Sequence, residues 1–191
     1  PPPEVGDSID VTIEGIDGAG KSTAMSAIQM GFRDVVTTSE PSGFMTGEWV
    51  YEAIRGETDV DTPALTDFYL YMADRTNHIE NTIRPALRDG QLVVSDRYAD
   101  STRAYQREAL SKVPEIDAPT AFIDRTMRSW NLEPDLTIYL DVDADTAMKR
   151  VEGGDKYEKR EFLRDVRKNY LALAKEHDRI IKLDTTDLTM G

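Results

Sequence analysis

Residues Gly15 to Ser22 read Gly-Ile-Asp-Gly-Ala-Gly-Lys-Ser, a complete phosphate-loop pattern of the form G-x-x-x-x-G-K-[ST]. Apolar residues alternate with polar ones over 8–14, which predicts a strand before the loop, and the apolar spacing over 22–30 predicts a helix after it. A strand, a glycine-rich turn and a helix in this order surround phosphates with backbone N–H groups and the positive end of the helix dipole. The pattern therefore predicts a nucleoside triphosphate site, with Lys21 on the β and γ phosphates and Ser22 on Mg²⁺.

The rest of the chain alternates predicted strands with predicted helices. Three consecutive apolar residues, Leu92, Val93 and Val94, within the stretch 91–95 indicate a strand that is buried on both faces of a parallel sheet. Pro63 favours the start of a long helix, and we expect Pro85 to kink or end it. The predicted strands are 8–14, 35–38, 91–95, 136–142 and 180–183, and the predicted helices are 22–30, 46–55, 63–85, 100–110, 118–130, 144–153 and 160–177. This order predicts an α/β fold, a three-layer α/β/α sandwich with a five-stranded parallel sheet of the P-loop NTPase type.

The amino-acid composition limits the cellular location and the binding partners that we expect for the protein. The chain has 191 residues, no cysteine and a formal net charge of −13. We expect one domain over 8–191 after a disordered lead-in at 1–7, without disulfides, thiolate catalysis or cysteine-ligated zinc. The negative charge disfavours broad binding to nucleic acid. No apolar run approaches the roughly 20 residues of a membrane span, so we expect no membrane association and a cytoplasmic location. Acidic residues spread along the chain suggest adaptation to high salt, with ordinary acidic variation as the alternative.

A phosphate loop is shared by GTPases, motor ATPases and small-molecule kinases, and other motifs separate these classes. The chain has no Asn-Lys-x-Asp motif for reading guanine, which weakens the GTPase interpretation. The further motifs are Thr38-Ser39-Glu40-Pro41, Ala73-Asp74-Arg75 with His78, Pro85-Ala86-Leu87, Ser95-Asp96-Arg97-Tyr98 with Ser101, Ala104-Tyr105-Gln106 and Pro134-Asp135-Leu136-Thr137. Together with the phosphate loop, and in this order from Val11 to about Thr186, they resemble the thymidylate kinase (dTMP kinase) family of nucleoside monophosphate kinases.

The resemblance implies transfer of a phosphate from ATP to dTMP with Mg²⁺, and a homodimer. In phosphoryl transfer the protein mainly positions the reactants and neutralises charge, so cationic side chains matter more than a general base. Asp96 follows a buried strand at the carboxyl edge of the sheet, and it would hold Mg²⁺ opposite Ser22. The residues implied for ATP are Gly15, Asp17, Gly18, Ala19, Gly20, Lys21, Ser22, Thr23 and Arg150, and those implied for catalysis are Lys21, Asp96, Arg97, Arg150, Lys156 and Arg160.

The phosphate and the sugar of dTMP have their own implied contacts. Arg97 and Arg55 match arginines that bind the acceptor phosphate, and forked guanidinium groups suit phosphate oxygens. Asp17 matches the residue that accepts a hydrogen bond from the sugar 3′-OH. The alternatives are a surface ion pair for either arginine and a loop-stabilising aspartate turn for Asp17.

The base of dTMP is read by a different group of side chains in this family. Tyr71 matches an aromatic ring against thymine, and Arg75 matches a donor to thymine O4. Tyr105 and Gln106 match residues that crowd the sugar 2′ position and contact the edge of the base. Ordinary packing in the core is the alternative for the tyrosines and for Gln106. The complete set implied for dTMP is Asp17, Glu40, Arg55, Tyr71, Arg75, Arg97, Ser101, Tyr105 and Gln106.

The stretch at about 150–160 resembles the short lid that closes over the phosphates in this family. Gly18 stands where some family members carry a catalytic arginine, so the resemblance places the missing positive charge on the lid. Lys156 replaces the usual arginine and lacks its bidentate geometry, and the stretch is about two residues short. Arg150 also matches an arginine that lies against the adenine of ATP. The basic residues of the stretch are Arg150, Lys156, Lys159 and Arg160, and a solvated charged linker is the alternative.

Two rival functions remain open at this stage. Base readout depends on few side chains, which leaves a kinase for another or a broader set of pyrimidine nucleoside monophosphates. The altered lid motivates a rival of another class, a nucleotide-binding module without turnover. The intact Lys21 and Asp96 argue against this second rival.

Overall fold

The computed structural model describes residues 8–56, 61–151 and 160–188. Its centre is one sheet of five parallel strands, in the order β2-β3-β1-β4-β5. The strands are β1 (Asp10–Glu14), β2 (Val35–Ser39), β3 (Leu92–Asp96), β4 (Leu136–Asp141) and β5 (Ile180–Asp184). This architecture confirms the predicted five-stranded parallel sheet.

Helices connect the strands in the predicted order. They are α1 (Lys21–Gly31), α2 (Met45–Arg55), α3 (Ala64–His78), α4 (Arg84–Arg88), α5 (Ala99–Ser101), α6 (Arg107–Leu110), α7 (Pro119–Met127), α8 (Ala144–Arg150) and α9 (Arg160–Glu176). Two π-helical turns, Ile79–Ile83 and Thr102–Gln106, join α3 to α4 and α5 to α6. The helix does not end at Pro85, because the π-helical turn just before it changes the hydrogen-bond register where proline lacks an N–H. Within the described residues no helix is both long and apolar enough to cross a membrane.

The apolar core lies on both faces of the sheet. Val93 and Val94 are consecutive residues of β3, and consecutive side chains of a strand point to opposite faces. Val93 belongs to a cluster with α3 and α7, whereas Val94 belongs to a cluster with α1, α8 and α9. Helices therefore cover both faces, which is the three-layer arrangement that the sequence predicts.

The strand ends decide where a ligand can bind. The phosphate loop follows β1. The adjacent strand β3 ends at Asp96, and β2, on the other side of β3, ends at Ser39 on the same edge of the sheet. In open parallel sheets ligands bind beyond the carboxyl ends of the strands. The predicted motifs therefore converge on one edge of the sheet.

Asp10 is a buried carboxyl group in the central strand. Its side chain is 3% exposed, and neither of its carboxyl oxygens has a hydrogen-bond partner among the described residues. Burial, reinforced by repulsion from Asp135 and Glu40, raises the pKa of Asp10 from 3.8 to about 7, although His78 acts in the opposite direction. Asp10 therefore binds a proton more tightly in the folded protein than in the unfolded chain.

We expect Asp10→Asn to flatten the pH dependence of stability. Between about pH 4 and pH 7 the folded state holds the proton that the unfolded chain has released, so the free energy of unfolding falls as pH rises. The asparagine variant lacks this loss, which amounts to at most about 4 kcal/mol at about 1.4 kcal/mol per pKa unit. Urea unfolding at pH 5 and pH 8 measures the difference. An equal fall in stability in both proteins would contradict the assignment.

Candidate active site

The phosphate loop needs glycine at two positions for lack of space as well as for its backbone angles. Gly15 and Gly18 have φ values of 148° and 81°. A Cβ atom would lie 2.6 Å from the Leu140 carbonyl oxygen at Gly15, and 2.4 Å from the Ala147 carbonyl oxygen at Gly18. No side chain fits at Gly18 without moving the backbone of α8. This packing explains why an arginine cannot stand there in this chain.

We expect Gly18→Arg to destabilise the protein and to give no gain in activity. The new side chain must displace Ala147 and occupy a left-handed backbone conformation, which together cost at least about 2 kcal/mol. Gly31→Arg is the matched control, because nothing lies within 4 Å of a Cβ at Gly31. Thermal unfolding of both variants tests this. Equal melting temperatures for the two variants would show that the contact with α8 is unimportant.

Lys21 and Asp17 are the two charged residues of the phosphate loop. Lys21 is 7% exposed, and its Nζ donates to the Ile16 carbonyl oxygen at 3.2 Å and lies 3.5 Å from Asp17 Oδ1. Asp17 also forms an ion pair with Arg97. Burial alone would raise the pKa of Asp17, but Arg97 and Lys21 lower it to about 2. Asp17 is therefore an ionised acceptor between two cations.

Arg97 is held in a left-handed backbone conformation, with a φ of 68°. Its N–H donates to the Ile13 carbonyl oxygen at 2.9 Å, and its carbonyl oxygen accepts from Ser95 Oγ at 2.7 Å. A non-glycine residue in this region costs about 1–3 kcal/mol, so the surrounding contacts must impose it. The guanidinium lies over the Tyr105 ring at 5.0 Å, and Nη1 donates to Ser101 Oγ at 3.2 Å. The strained turn thus aims the guanidinium towards the phosphate loop.

A cleft of about 410 Å³ opens between the phosphate loop, α2, α3 and the turn after β3. Every residue implied for dTMP lines this cleft, together with three residues implied for ATP, the metal and catalysis. The lining includes Asp17, Glu40, Arg55, Tyr71, Arg75, Arg97, Ser101, Tyr105 and Gln106 of the first set and Lys21, Ser22 and Asp96 of the second. The structure therefore brings the residues implied for dTMP into one space with Lys21, Ser22 and Asp96.

Arg75 and Glu40 form a buried ion pair in the wall of the cleft. Arg75 Nη2 lies 2.6 Å and Nε 2.9 Å from Glu40 Oε2. Arg75 Nη2 also donates to Thr102 Oγ1 at 2.7 Å, and His78 Nδ1 lies 3.1 Å from Glu40 Oε1. Because Glu40 is engaged by both Arg75 and His78, it fixes the orientation of the guanidinium. Sequence reasoning placed Glu40 near dTMP but did not find this holding contact.

Gln106 presents an unpaired acceptor to the same region. Its side chain is 1% exposed, and its Oε1 has no hydrogen-bond partner among the described residues. Burying a carbonyl oxygen without a hydrogen-bond donor costs free energy, so we expect this oxygen to accept a hydrogen bond from a ligand. Arg75 as a donor and Gln106 as an acceptor therefore give this wall of the cleft a mixed hydrogen-bonding pattern.

Asp96 and Ser22 fit a magnesium site. Asp96 Oδ1 is buried without a hydrogen-bond partner in the described part of the chain, and both residues line the cleft beside Lys21. Mg²⁺ in phosphate-transferring enzymes usually takes one or two carboxylates, water and substrate phosphates, and not a complete protein cage. The described residues contain no cluster of three or more His, Cys, Asp or Glu side chains that could form such a cage. The donors present are consistent with Mg²⁺ shared between protein and phosphates.

Arg150 lies beside the phosphate loop and outside the cleft. Its Nη1 donates to the Gly18 carbonyl oxygen at 3.2 Å, and its Nη2 lies within hydrogen-bonding distance of the carbonyl oxygens of Thr185, Thr186 and Leu188 at 2.8–3.0 Å. These contacts tie the end of α8 to the phosphate loop and to the segment after β5. These contacts do not use the planar face of the guanidinium.

The other predicted lid residues contribute little to the described site. Arg160 begins α9, where its side chain is 53% exposed and paired with Asp145, away from the residues that line the cleft. Lys156 and Lys159 fall outside the described residues, as does most of the stretch assigned to the lid.

Sequence reasoning missed several residues in the wall of the cleft. Tyr51 lies four residues before Arg55 on α2, and the Arg55 guanidinium packs over its ring at 5.3 Å. The i, i+4 spacing on a helix could have indicated this pair. Thr102, the partner of Arg75, carries no comparable signal, because its neighbours in space come from other elements.

A phosphate loop at the carboxyl edge of a five-stranded parallel sheet, facing a cleft with a second set of cationic side chains, defines a P-loop nucleotide kinase. The comparisons agree with this class. A family model described as thymidylate kinase matches residues 13–190. This chain belongs to the thymidylate kinase family, whose members are nucleoside monophosphate kinases.

Individual relatives support the assignment. A probable thymidylate kinase of Methanococcoides burtonii is 40% identical over 181 residues, which cover 92% of this chain and 87% of that protein. Another, from Halorubrum lacusprofundi, is 39% identical over 178 residues, with 92% and 89% covered. The fold is similar to that of thymidylate kinase from Candida albicans, with a TM-score of 0.82, 22% identity and coverage of 96% of this chain and 86% of that one.

Proposed function

We propose that this chain transfers the γ-phosphoryl group of ATP to dTMP and releases dTDP and ADP. An oxygen of the dTMP phosphate forms the new bond to the γ-phosphorus, and the bond to the oxygen bridging the β and γ phosphates breaks. The observation that carries the proposal is that all residues implied for dTMP line one cleft with Lys21 and Asp96. This arrangement supports binding of an acceptor phosphate and a donor phosphate in one space.

The donor phosphates fit the phosphate loop. The loop backbone and the start of α1 provide N–H groups for the β phosphate, and Lys21 reaches the β and γ oxygens. Ser22 and Asp96 would hold Mg²⁺, which neutralises charge on those oxygens. Arg150 supports the loop from behind through the Gly18 carbonyl oxygen and offers its planar face to the adenine.

The acceptor phosphate fits between Arg97 and Arg55. A phosphate monoester has a second pKa near about 6, so dTMP is largely a dianion at neutral pH and needs no general base. The Arg97 guanidinium forms an ion pair with the Asp17 carboxylate. The incoming phosphate competes for that guanidinium, and this leaves the Asp17 carboxylate to accept the sugar 3′-OH.

The donor and acceptor pattern of the wall favours thymine over cytosine. Thymine presents an O4 acceptor and an N3–H donor, which match Arg75 and the Gln106 carbonyl oxygen. Cytosine presents an amino donor and an unprotonated N3, so the Arg75 donor would face another donor and the Gln106 carbonyl oxygen would face another acceptor. Tyr71 gives a stacking surface, and Tyr105 lies where it would limit space around the sugar 2′ position.

Steady-state rates with dTMP, dUMP and dCMP test this proposal. We expect kcat/KM for dTMP to exceed that for dCMP by about 10²-fold or more, since a wrong hydrogen-bonding partner is strongly rejected. A kcat/KM for dTMP no better than for dCMP would favour the broader pyrimidine kinase. Tight binding of ATP and dTMP without any transfer would favour the non-catalytic module.

We also propose that residues 8–191 form one kinase domain in which the stretch at about 150–160 is a lid. Basic side chains on this stretch, including Lys156 and Arg160, would close over the phosphates and exclude water during transfer. The steric contact at Gly18 supports this division of roles, since the loop itself has no space for an arginine. Loss of kcat in a Lys156→Ala, Arg160→Ala double variant with unchanged KM for dTMP would support the lid, and unchanged kcat would oppose it.

The solution properties are further proposals. The net charge of −13 and relatives from halophilic archaea support adaptation to high salt. The cytoplasmic location and the homodimer are proposed as expectations from the sequence and the family resemblance. Melting temperatures should rise between low and molar KCl, and a protein that is most stable at low salt would oppose this. Sedimentation equilibrium distinguishes a dimer from a monomer.

A further inference from the structure

Tyr170 is a buried residue of α9 with no part in the functions proposed so far. Its side chain is 2% exposed, and its ring stacks on Tyr139 with centroids 4.9 Å apart. Its hydroxyl lies 2.8 Å from Glu14 Oε2 and 2.9 Å from Ser101 Oγ. Tyr170 therefore reaches from the helix that follows the proposed lid to the end of the central strand.

Glu14 is the shared acceptor of this cluster. It is fully buried at the end of β1, and it accepts from the Tyr98 N–H at 2.8 Å, the Ser101 N–H at 3.1 Å and Ser101 Oγ at 2.6 Å. These bonds fix the first turn of the helix that follows Arg97. Ser101 Oγ in turn accepts from Arg97 Nη1 at 3.2 Å. One hydroxyl thus links Tyr170 and Glu14 to the guanidinium.

The ring of Tyr170 supports Arg97 by a second route. Its edge meets the Tyr105 ring with centroids 6.3 Å apart and an interplanar angle of 82°. The Arg97 guanidinium lies over the Tyr105 ring at 5.0 Å, and Nη2 lies 3.4 Å from the Tyr105 hydroxyl. Tyr170 therefore contacts both Ser101 and Tyr105, and each of these residues contacts the guanidinium.

We propose that Tyr170 is a positioning residue that sets the orientation of Arg97 for the acceptor phosphate. The proposal rests on the proposed role of Arg97 in binding that phosphate. Burial and the nearby Glu14 hold the pKa of Tyr170 well above its ordinary value, so its hydroxyl remains a hydrogen-bond donor. Removing the hydroxyl leaves Ser101 and Glu14 short of one partner and loosens the Ser101 contact that holds the guanidinium in place.

Tyr170→Phe tests the proposal because it removes the hydroxyl and keeps the ring. We expect kcat/KM for dTMP to fall about tenfold, since small errors in the position of a phosphate-binding group are costly in transfer reactions. The KM for ATP should stay within about twofold, because no contact of the phosphate loop is removed. Tyr139→Phe is the matched control. It makes the same deletion in the same ring stack, but its hydroxyl lies 3.0 Å from Asp141 Oδ1 and away from the cleft.

A double-mutant cycle with Arg97→Ala separates positioning from a general effect on folding. If Tyr170 acts through Arg97, Tyr170→Phe should change kcat/KM for dTMP less than about twofold in the Arg97→Ala background. An equal tenfold loss in that background would overturn the proposal. Wild-type kinetics in Tyr170→Phe, or an equal loss in Tyr139→Phe, would do so as well.

Two further measurements keep the outcome decisive. If Tyr170→Phe is too unstable to assay, Ser101→Ala cuts the same link from its other end and should also lower kcat/KM for dTMP about tenfold. Wild-type kinetics in Ser101→Ala would then overturn the proposal. The unmodified protein measured alongside shows whether dTMP is the substrate at all, so failure of the proposed function is distinguishable from failure of the role of Tyr170.

Discussion

Arg97→Ala should lower kcat/KM for dTMP by about a thousandfold, which is the range seen when a charge-stabilising group is removed from phosphoryl transfer. The guanidinium follows β3 in a strained turn and lies beside Asp17 in the cleft, where two phosphates would meet. Without it, the dianionic acceptor has lost a bidentate partner and the transition state a neutralising charge. Steady-state kinetics with saturating ATP measures the effect.

The control for this prediction is Arg97→Lys. Lysine retains the positive charge but not the planar fork, so we expect an intermediate loss of about ten- to a hundredfold. Neither variant should unfold the protein, because the backbone contacts of this turn to Ile13 and Ser95 do not depend on the side chain of residue 97. A near-normal kcat/KM for dTMP in the alanine variant would contradict the role of Arg97.

Lys21→Met should lower kcat by about a thousandfold or more without lowering the stability of the free protein. Burial, together with the neighbouring Arg97, lowers the pKa of Lys21, which means that its charge is held there against a solvation cost. Methionine removes this cost and fills a similar volume, so the melting temperature should be unchanged or higher. A lysine held at a cost to stability is expected where its charge serves a bound ligand.

The matched control is Lys168→Met on α9. Lys168 is 74% exposed and paired with Asp165, so its replacement should change neither kcat nor stability appreciably. Single-turnover transfer with ATP and dTMP distinguishes loss of chemistry from slow product release in Lys21→Met. Retention of a tenth or more of the wild-type single-turnover rate would contradict the prediction.

Local sequence signals were sufficient for most of the fold. The phosphate-loop pattern placed β1 and α1, and the apolar run Leu92-Val93-Val94 placed β3, because both features depend on residues that are close together in the chain. The boundaries at Pro85 were harder to predict. The helix passes this proline by means of a π-helical turn, in which Ile79 and Ile83 pack in the core.

The site was predicted unevenly for the same reason. Residues within motifs, such as Asp17 and Arg97, were identified through the resemblance of those motifs to the family, and the structure places them in the cleft. Their roles in binding and catalysis stay predictions that the proposed variants test. The contacts that hold the site residues were not identified, because Glu40 meets Arg75 across 35 positions of the chain and Glu14 meets Tyr170 across 156.

The sequence by itself determined the order of strands and helices, the phosphate loop and the residue types available for the chemistry, since periodicity and motif spacing are properties of neighbouring residues. Only the tertiary structure decided which of these side chains share one cleft, that α8 leaves no space for a side chain at Gly18, and that Tyr170 reaches Ser101 and Glu14. These outcomes depend on how helices pack across the sheet. Packing of this kind is set by contacts between distant segments, which no local pattern in the chain records.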